Sequence, residues 1–225
     1  MKPIAVIPAR ANSQRLPQKN LRKLGGKPLV QWAIEAAQKS KLFGPHIYVT
    51  TDDQAIMKLV RNLGIQVLVR RQDTARADAT LNHVVTEVRD QLNTRAPIYL
   101  LTPTSPFRNP ETMRKAWAAY AMNDHVGRVV SVVPYHDPPH WALQLAKDGG
   151  IVMPVFPSDF DRTRTELPKC VQQDGSHVIQ GANGGATMAF EVPPEERVDI
   201  NTQQDLDYAE FLLSRGRISW IANAS

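Results

Sequence analysis

Apolar residues along this chain fall into runs of two alternating kinds. "PIAVIPA" is a short continuous apolar stretch and predicts a buried strand, whereas "PLVQWAIEAAQKS" repeats its apolar positions every three or four residues and predicts an amphipathic helix. The same alternation continues with strand "HIYVTT", helix "DDQAIMKLVRNLG" ending at Gly64, strand "IQVLVR", helix "DATLNHVVTEVRDQL", strand "PIYLLTPTS", helix "NPETMRKAWAAYAM" and strand "GRVVSVVPY". Strands rich in Val and Ile without polar alternation are what a parallel sheet covered on both faces requires, and helical crossovers between them make a βαβ series. The predicted fold class is therefore α/β: a three-layer, Rossmann-like domain with a mainly parallel sheet.

The rhythm breaks between His136 and about Gly185. "YHDPPH" is interrupted by proline, "WALQLAKDGG" and "IVMPVF" pair as a hairpin across Gly149 and Gly150, and "PSDFDRTRTELPK" has no clear period. "GGATMAFEV" then reads as a returning strand and "NTQQDLDYAEFLLSRG" as a final helix, with Asn201 or Thr202 as its N-cap and Gly216 at its end. The expected organisation is an α/β domain from residues 1–135 and 186–225, with residues 136–185 as an inserted arm.

Composition and charge narrow the function. A chain of 225 residues, 42% apolar and 22% charged, has the makings of a full core. It holds no run near the roughly 18 apolar residues that span a bilayer, and "IAVI" is too short for the apolar region of a secretory signal. A cytoplasmic, non-membrane protein is expected. The single cysteine, Cys170, rules out an internal disulfide and a multi-cysteine metal site, and reads as a tolerated thiol. Residues 1–34 hold seven cations (Lys2, Arg10, Arg15, Lys19, Arg22, Lys23, Lys27) and no acid before Glu35, more than the whole net charge of +5. Positive charge gathered in one segment predicts a local anionic ligand. It is not the cationic stripe with interleaved aromatics of a nucleic-acid surface, so no nucleic-acid partner is expected.

The centre of that segment, "PARANSQRLPQKN" (8–20), follows the first strand. In open α/β sheets ligands bind beyond the carboxyl ends of the strands, and backbone amides with Arg and Lys side chains there make a phosphate site. The loop contains no glycine and no Gly-Lys-Ser/Thr ending, so it is neither a Walker loop nor a dinucleotide fingerprint.

"IPARANSQRLPQKN" resembles the Ala-Arg-x-x-Ser-Lys-x-x-Pro-x-Lys-Asn signature of the cytidylyltransferases that activate nine-carbon sugar acids: the CMP-sialic acid synthetases and their pseudaminic and legionaminic relatives. "GGKPLVQWAIEAA", "VTTDDQAI", "LLTPTSPFRNPE", "RTELPKCVQQDG" and "VDINTQQDLDYAE" are similar to further segments of that family, in order and at its spacing. The resemblance implies attack by the anomeric hydroxyl of a 2-keto sugar acid on the α-phosphorus of CTP, assisted by Mg²⁺. It implies that Arg10, Ser13 and Lys19 hold the phosphates and that Asn20 lies near the nucleoside. Arg71 and Asp78 are placed at the cytidine, and Asp199 at the metal. It further implies a homodimer built by the inserted arm, with Arg164 reaching the acceptor pocket of the partner.

Arg15, Arg22 and Lys23 match nothing in the signature and read as solvated charges. Thr50, Thr51, Asp52 and Asp53 close a strand and cap the next helix, Pro103 and Pro106 shape a loop, and the six histidines form no cluster with metal-ligand spacing. Five departures bear on the substrate. Gln14 replaces the loop lysine as a neutral donor that can still reach an oxygen of CTP, Thr102 stands where the family has a glutamine associated with the acceptor, and Thr165 follows Arg164 where a glutamine is usual. Asn201 replaces the second aspartate of the metal pair, remaining either a neutral second ligand or the N-cap of the last helix, and Asp174 replaces an asparagine. These changes predict a small acidic acceptor other than N-acetylneuraminate: another nonulosonic acid, or a phosphonate. A relative of low activity is the further alternative.

Overall fold

The alternation within one strand builds the layers. In the computed structural model, which describes residues 2–11, 13–71, 80–146, 150, 152–218 and 221, strand β1 (Ile4–Pro8) sends Ala5 and Ile7 to one face and Ile4 and Val6 to the other. Ala5 and Ile7 meet Val30, Ala33 and Ile34 of α1 (Leu29–Ser40), Ile56 and Val60 of α2 (Gln54–Asn62), and Met113 and Ala116 of α4 (Pro110–Met122). Ile4 and Val6 meet Val84, Val85 and Val88 of α3 (Leu81–Leu92). Because both faces of β1 are covered, its run is apolar without alternation.

The helices begin where the sequence supplies caps. Asp53 accepts hydrogen bonds from the amides of Ala55 and Ile56, Asn109 caps α4 with Pro110 at its first position, and Thr80 caps α3. Helix α5 (Gln203–Ser214) starts at Thr202, whose hydroxyl accepts from the Asp205 amide while the Asp205 carboxylate takes the Thr202 amide. Of the two expected caps, Asn201 and Thr202, the latter does the capping.

Among the described residues the main sheet has seven strands: β1, β4 (Ile47–Thr51), β5 (Gln66–Val69), β6 (Ile98–Leu100), β7 (Arg128–Pro134), β10 (Val171–Gln180) and β11 (Thr187–Glu191). Their order across the sheet is β11-β7-β10-β6-β1-β4-β5. All neighbouring pairs run parallel except those of β10, which is antiparallel to both β6 and β7. From β1 the chain steps outward to β4 and β5 on one side, and β6 lies on the other. That reversal opens a crevice at the carboxyl ends.

Strand β10 is the element the apolar pattern did not predict. It lies inside the stretch read as an insertion, yet residues 171–180 run through the main sheet. Its polar half, "VQQDGS", breaks the period because the register with β7 shifts between Gln173 and Val178, with Gly175 at φ 75°. What leaves the sheet is the stretch between β7 and β10, which carries the expected hairpin: β8 (Leu143–Leu145) pairs antiparallel with β9 (Val152–Pro154).

A third cluster lies beneath the cationic loop. Leu16 packs with Leu24, Trp32, Phe107, Ile200 and Leu206, and the short hairpin of β2 (Lys23–Leu24) and β3 (Lys27–Pro28) joins this cluster through Leu24. The loop is therefore tied to the start of α5 although 186 residues separate Arg15 from Asn201. Among the described residues no helix is long and apolar enough to cross a membrane.

Candidate active site

A cavity of about 220 Å³ opens at the carboxyl ends of β1, β5 and β6, lined by Pro8, Arg10, Ser13, Lys19, Asn20, Arg70, Leu81, Val84 and Thr102 to Thr104. The lining combines apolar Pro8, Leu81, Val84 and Pro103 with the cations Arg10, Lys19 and Arg70, a combination suited to a ligand that carries both a ring and phosphates.

The cationic wall is held by backbone contacts. The Ala9 amide donates to the Thr50 carbonyl and the Ala11 amide to Asp52 Oδ1, both at β4, so the loop is fixed where it leaves the sheet. Asp52 thus anchors the loop while Asp53 caps α2. Asn20 is buried and donates through Nδ2 to the Arg10 carbonyl at 2.9 Å, closing the loop on itself. Residues 19–21 form a single 3-10 turn entered through Gln18 at φ 53°.

Lys19 reaches across to the start of α5. Its Nζ donates to Asn201 Oδ1 at 2.9 Å, and Arg15 Nη2 donates to the same oxygen at 3.0 Å. Asn201 Nδ2 donates to Asp199 Oδ2 at 2.5 Å. Only this orientation of the amide satisfies two cations on one side and a carboxylate on the other. Burial pushes the Lys19 ammonium down from its ordinary value; Asp199 opposes this, while Arg15 and Arg10 add to it.

The Asn201 oxygen is spent on cations, so it does not fit the role of a metal ligand, and the helix is capped by Thr202. Asp199 fits better: it is exposed, and only one of its oxygens is engaged by Asn201. Mg²⁺ usually takes one or two protein carboxylates and completes its shell with water and substrate phosphates, so one aspartate suffices in kind. Among the described residues no group of three or more His, Cys, Asp or Glu is arranged to hold a metal.

Of the residues assigned to the nucleotide, Arg10, Ser13, Lys19 and Asn20 meet in the cavity, while Gln14 faces solvent. Arg71 does not line the cavity: its side chain is exposed, and its amide donates to Glu87 Oε1 at 2.7 Å. Its neighbour Arg70, 8% exposed, lines the cavity instead. Successive side chains leaving an extended segment point to opposite sides, so Arg70 faces the cavity and Arg71, the residue placed at the cytidine by resemblance, faces away from it. Burial pushes the Arg70 guanidinium down, against Glu87 and Asp52, and its Nε has no hydrogen-bond partner among the described residues. Asp78 lies outside the described residues.

Thr102 lines the cavity and is backed by a buried polar network that sequence reasoning passed over. Arg108, fully buried, donates through Nε to the Ser176 carbonyl at 2.6 Å and through Nη2 to the Thr102 carbonyl at 3.1 Å. Burial pushes its guanidinium down to about 10, against the pull of Tyr99, Glu196, Asp174 and Asp199, so it stays charged at neutral pH. Glu196 accepts from the Asn109 amide, the Thr112 hydroxyl and His177 Nε2, leaving His177 Nδ1 to accept from the Tyr99 hydroxyl at 2.7 Å. Asp174 turns into the protein and takes the hydroxyls of Ser131 and Ser176. The only signal in the sequence was the arginine of "PTSPFR".

Arg164 stands apart from this cavity. It pairs with Asp137 at 2.9 Å, donates to the His136 carbonyl at 2.6 Å and lies over the Trp141 ring. With Tyr135, Leu167 and Cys170 it lines a separate hollow of about 700 Å³ beneath the excursion.

Comparison with known proteins bears on this geometry. A sequence profile described as cytidylyltransferase matches residues 4–141. The chain is 36% identical over 173 residues to a CMP-N,N'-diacetyllegionaminic acid synthase of Legionella pneumophila, covering 75% of this chain and 73% of that protein. It is 28% identical over 215 residues to an N-acylneuraminate cytidylyltransferase of Streptococcus agalactiae, covering 91% of this chain and 52% of the relative, so it spans about half the length of that protein. Among solved structures, a CMP:2-keto-3-deoxy-manno-octonic acid synthetase complexed with CTP aligns with a TM-score of 0.71 over 96% of this chain and 99% of that one. At 17% identity that likeness establishes the fold.

Proposed function

The chain belongs to the cytidylyltransferase family, and from that premise we propose that it transfers CMP from CTP to a nonulosonic, sialic-like sugar acid and releases pyrophosphate. The observation that carries this reading is the convergence of Arg10, Ser13, Lys19, Asn20 and Thr102 on one cavity, with Asp199 tied to Lys19 through Asn201.

The apolar wall of Leu81, Val84 and Pro103 takes the nucleoside, with Arg70 beside it. Arg10, Ser13 and Lys19 hold the triphosphate in line with the acceptor hydroxyl, so the chain contributes orientation and fixed charge. Mg²⁺, when bound at Asp199, supplies neutralisation of the charge on the phosphates. Thr102, fixed by Arg108, borders the acceptor. Its short side chain and the inward turn of Asp174 favour an acid other than N-acetylneuraminate, and a phosphonate acceptor is the second reading. Pyrophosphate release from CTP, measured across a panel of nonulosonic acids, an eight-carbon sugar acid and phosphonates, tests both; no CTP-dependent release with any of them refutes the reading.

Arg10→Ala and Lys19→Ala each remove a charge-assisted contact to phosphate, which is worth about 1.5–3 kcal/mol. CTP affinity should fall roughly tenfold to a hundredfold in each, and calorimetric titration of CTP checks it.

The working form is a homodimer in the cytoplasm. Leu143 at 48% exposed, Leu145 at 74% and Val152 at 49% share one face of the β8–β9 hairpin, an apolar surface suited to a second copy. In that assembly the excursion from the sheet is the dimerisation arm, and Arg164 faces the acceptor pocket of the partner. Leu145→Asp with Val152→Asp should give a monomer by light scattering; a wild-type protein that is monomeric and fully active overturns the assignment.

A further inference from the structure

Shortly before Asp199 the chain buries a carboxylate that the reaction does not use. Glu196 ends the 3-10 turn Pro194–Glu196, is 1% exposed, and is not among the residues that line the cavity. Its Oε2 accepts from the Asn109 amide at 2.9 Å and from His177 Nε2 at 3.2 Å, and its Oε1 accepts from the Thr112 hydroxyl. Two of these donors belong to the start of α4, where Asn109 is the cap and where the helix end favours a negative charge; the third belongs to β10.

The chain on the other side of Asp199 is tied to the same neighbour. The Ile200 amide donates to the Thr104 carbonyl at 2.8 Å, and Val198 and Ile200 pack in one cluster with Phe107. Thr102, Pro103 and Thr104 line the cavity, so the stretch 102–112 that borders it also receives both ties from residues 196–200. The Asp199 side chain is exposed and engaged by Asn201, and its place relative to Thr102 is therefore set by its chain neighbours. Packing does not call for a carboxylate at residue 196, since an apolar side chain of similar volume costs less to bury. What the carboxylate adds is direction, with fully buried Arg108 as its counter-charge.

We propose that Glu196 is a positioning residue: by clamping the turn before Asp199 onto Asn109 and Thr112, it fixes Asp199 relative to Thr102 and thereby the alignment of triphosphate and acceptor. This rests on the cytidylyltransferase reading. Glu196 touches no substrate and acts through Asp199 on one side and the Thr102 loop on the other. Transfer needs an in-line approach, and a displacement of about 1 Å costs on the order of a hundredfold in rate. Binding of CTP asks less of this clamp, because the cationic loop is anchored separately, at Asp52 and through Asn20.

The test is a split between turnover and affinity. In Glu196→Ala, assayed well below its own Tm, kcat should fall about tenfold to a hundredfold, while the CTP Kd titrated without Mg²⁺ stays within about twofold. Glu196→Gln, which still accepts from the Asn109 amide, should recover most of the loss. Thr112→Val removes one donor at nearly constant volume and away from the cavity lining; it should lower kcat by roughly threefold to tenfold, and should add nothing to Glu196→Ala when the two are combined. Should Glu196→Ala not fold, Thr112→Val decides alone. Unchanged kcat in the folded variants overturns this proposal and leaves the cytidylyltransferase reading standing. A loss of CTP affinity equal to the loss of kcat also overturns it, since that outcome marks a site distorted as a whole. A wild-type chain that neither binds CTP nor releases pyrophosphate from it brings down both.

Discussion

Arg108→Ala should destabilise the protein by about 3–5 kcal/mol, the cost of removing one partner from a buried charged network. The guanidinium is the counter-charge among Glu196, Asp174 and Asp199 and donates to the carbonyls of Ser176 and Thr102. Without it the buried Ser176 carbonyl and the buried Glu196 carboxylate lose the donor and the counter-charge that offset their burial. For a chain of this length the loss corresponds to a fall in Tm of roughly 6–20 °C, against a total stability of about 5–15 kcal/mol. Urea denaturation measures it directly. Arg108→Lys should recover little, because one ammonium cannot donate toward β10 and the Thr102 loop at once. The same network sets a pH response. Burial lowers the His177 pKa from 6.5, so the unfolded chain takes up a proton there before the folded one. The stability contributed by neutral His177 is complete above about 6.5 and is lost as pH falls from there through the lower folded value. Wild-type Tm should decline over that interval, and His177→Gln should flatten the decline.

Asp199→Ala should reduce turnover by two to three orders of magnitude, since a carboxylate that holds the metal against the triphosphate is worth several kcal/mol in the transition state. The fold should be unaffected: Asp199 is exposed, and the neighbouring Val198 and Ile200 supply the packing there. Measured activity against Mg²⁺ concentration separates this from a general loss. The companion change Asn201→Asp should not lower the Mg²⁺ concentration for half-maximal activity, because the side-chain oxygen at that position faces Lys19 and Arg15. Asp199→Ala with near-normal Mg²⁺-dependent activity shows that the metal binds elsewhere.

Elements whose patterns are local were legible before any coordinates. Strands β1, β4, β5, β6, β7 and β11 and helices α1 to α5 follow from apolar period and capping residues, since a chain needs only its own neighbours to choose between periods of 2 and 3.6. The gathering of charge before Glu35 was visible for the same reason, and led to the expectation of a phosphate site after β1. Strand β10 was not legible: "DGS" carries a turn signal, and only pairing on both edges by β6 and β7 holds a bulged, polar segment in the sheet. That Arg70 lines the cavity and Arg71 does not needed the register of β5, which is a property of two strands and not of one. Arg108 looked like an ordinary loop cation until the fold buried it among four distant acidic and phenolic groups. The role of Asn201 turned on the same limit, because its partners are Lys19, 182 residues away, and Arg15, 186 away. A sequence states which donors and acceptors exist; which of them meet is decided by long-range packing, and here that packing sets the Asn201 side-chain oxygen against Lys19 and Arg15.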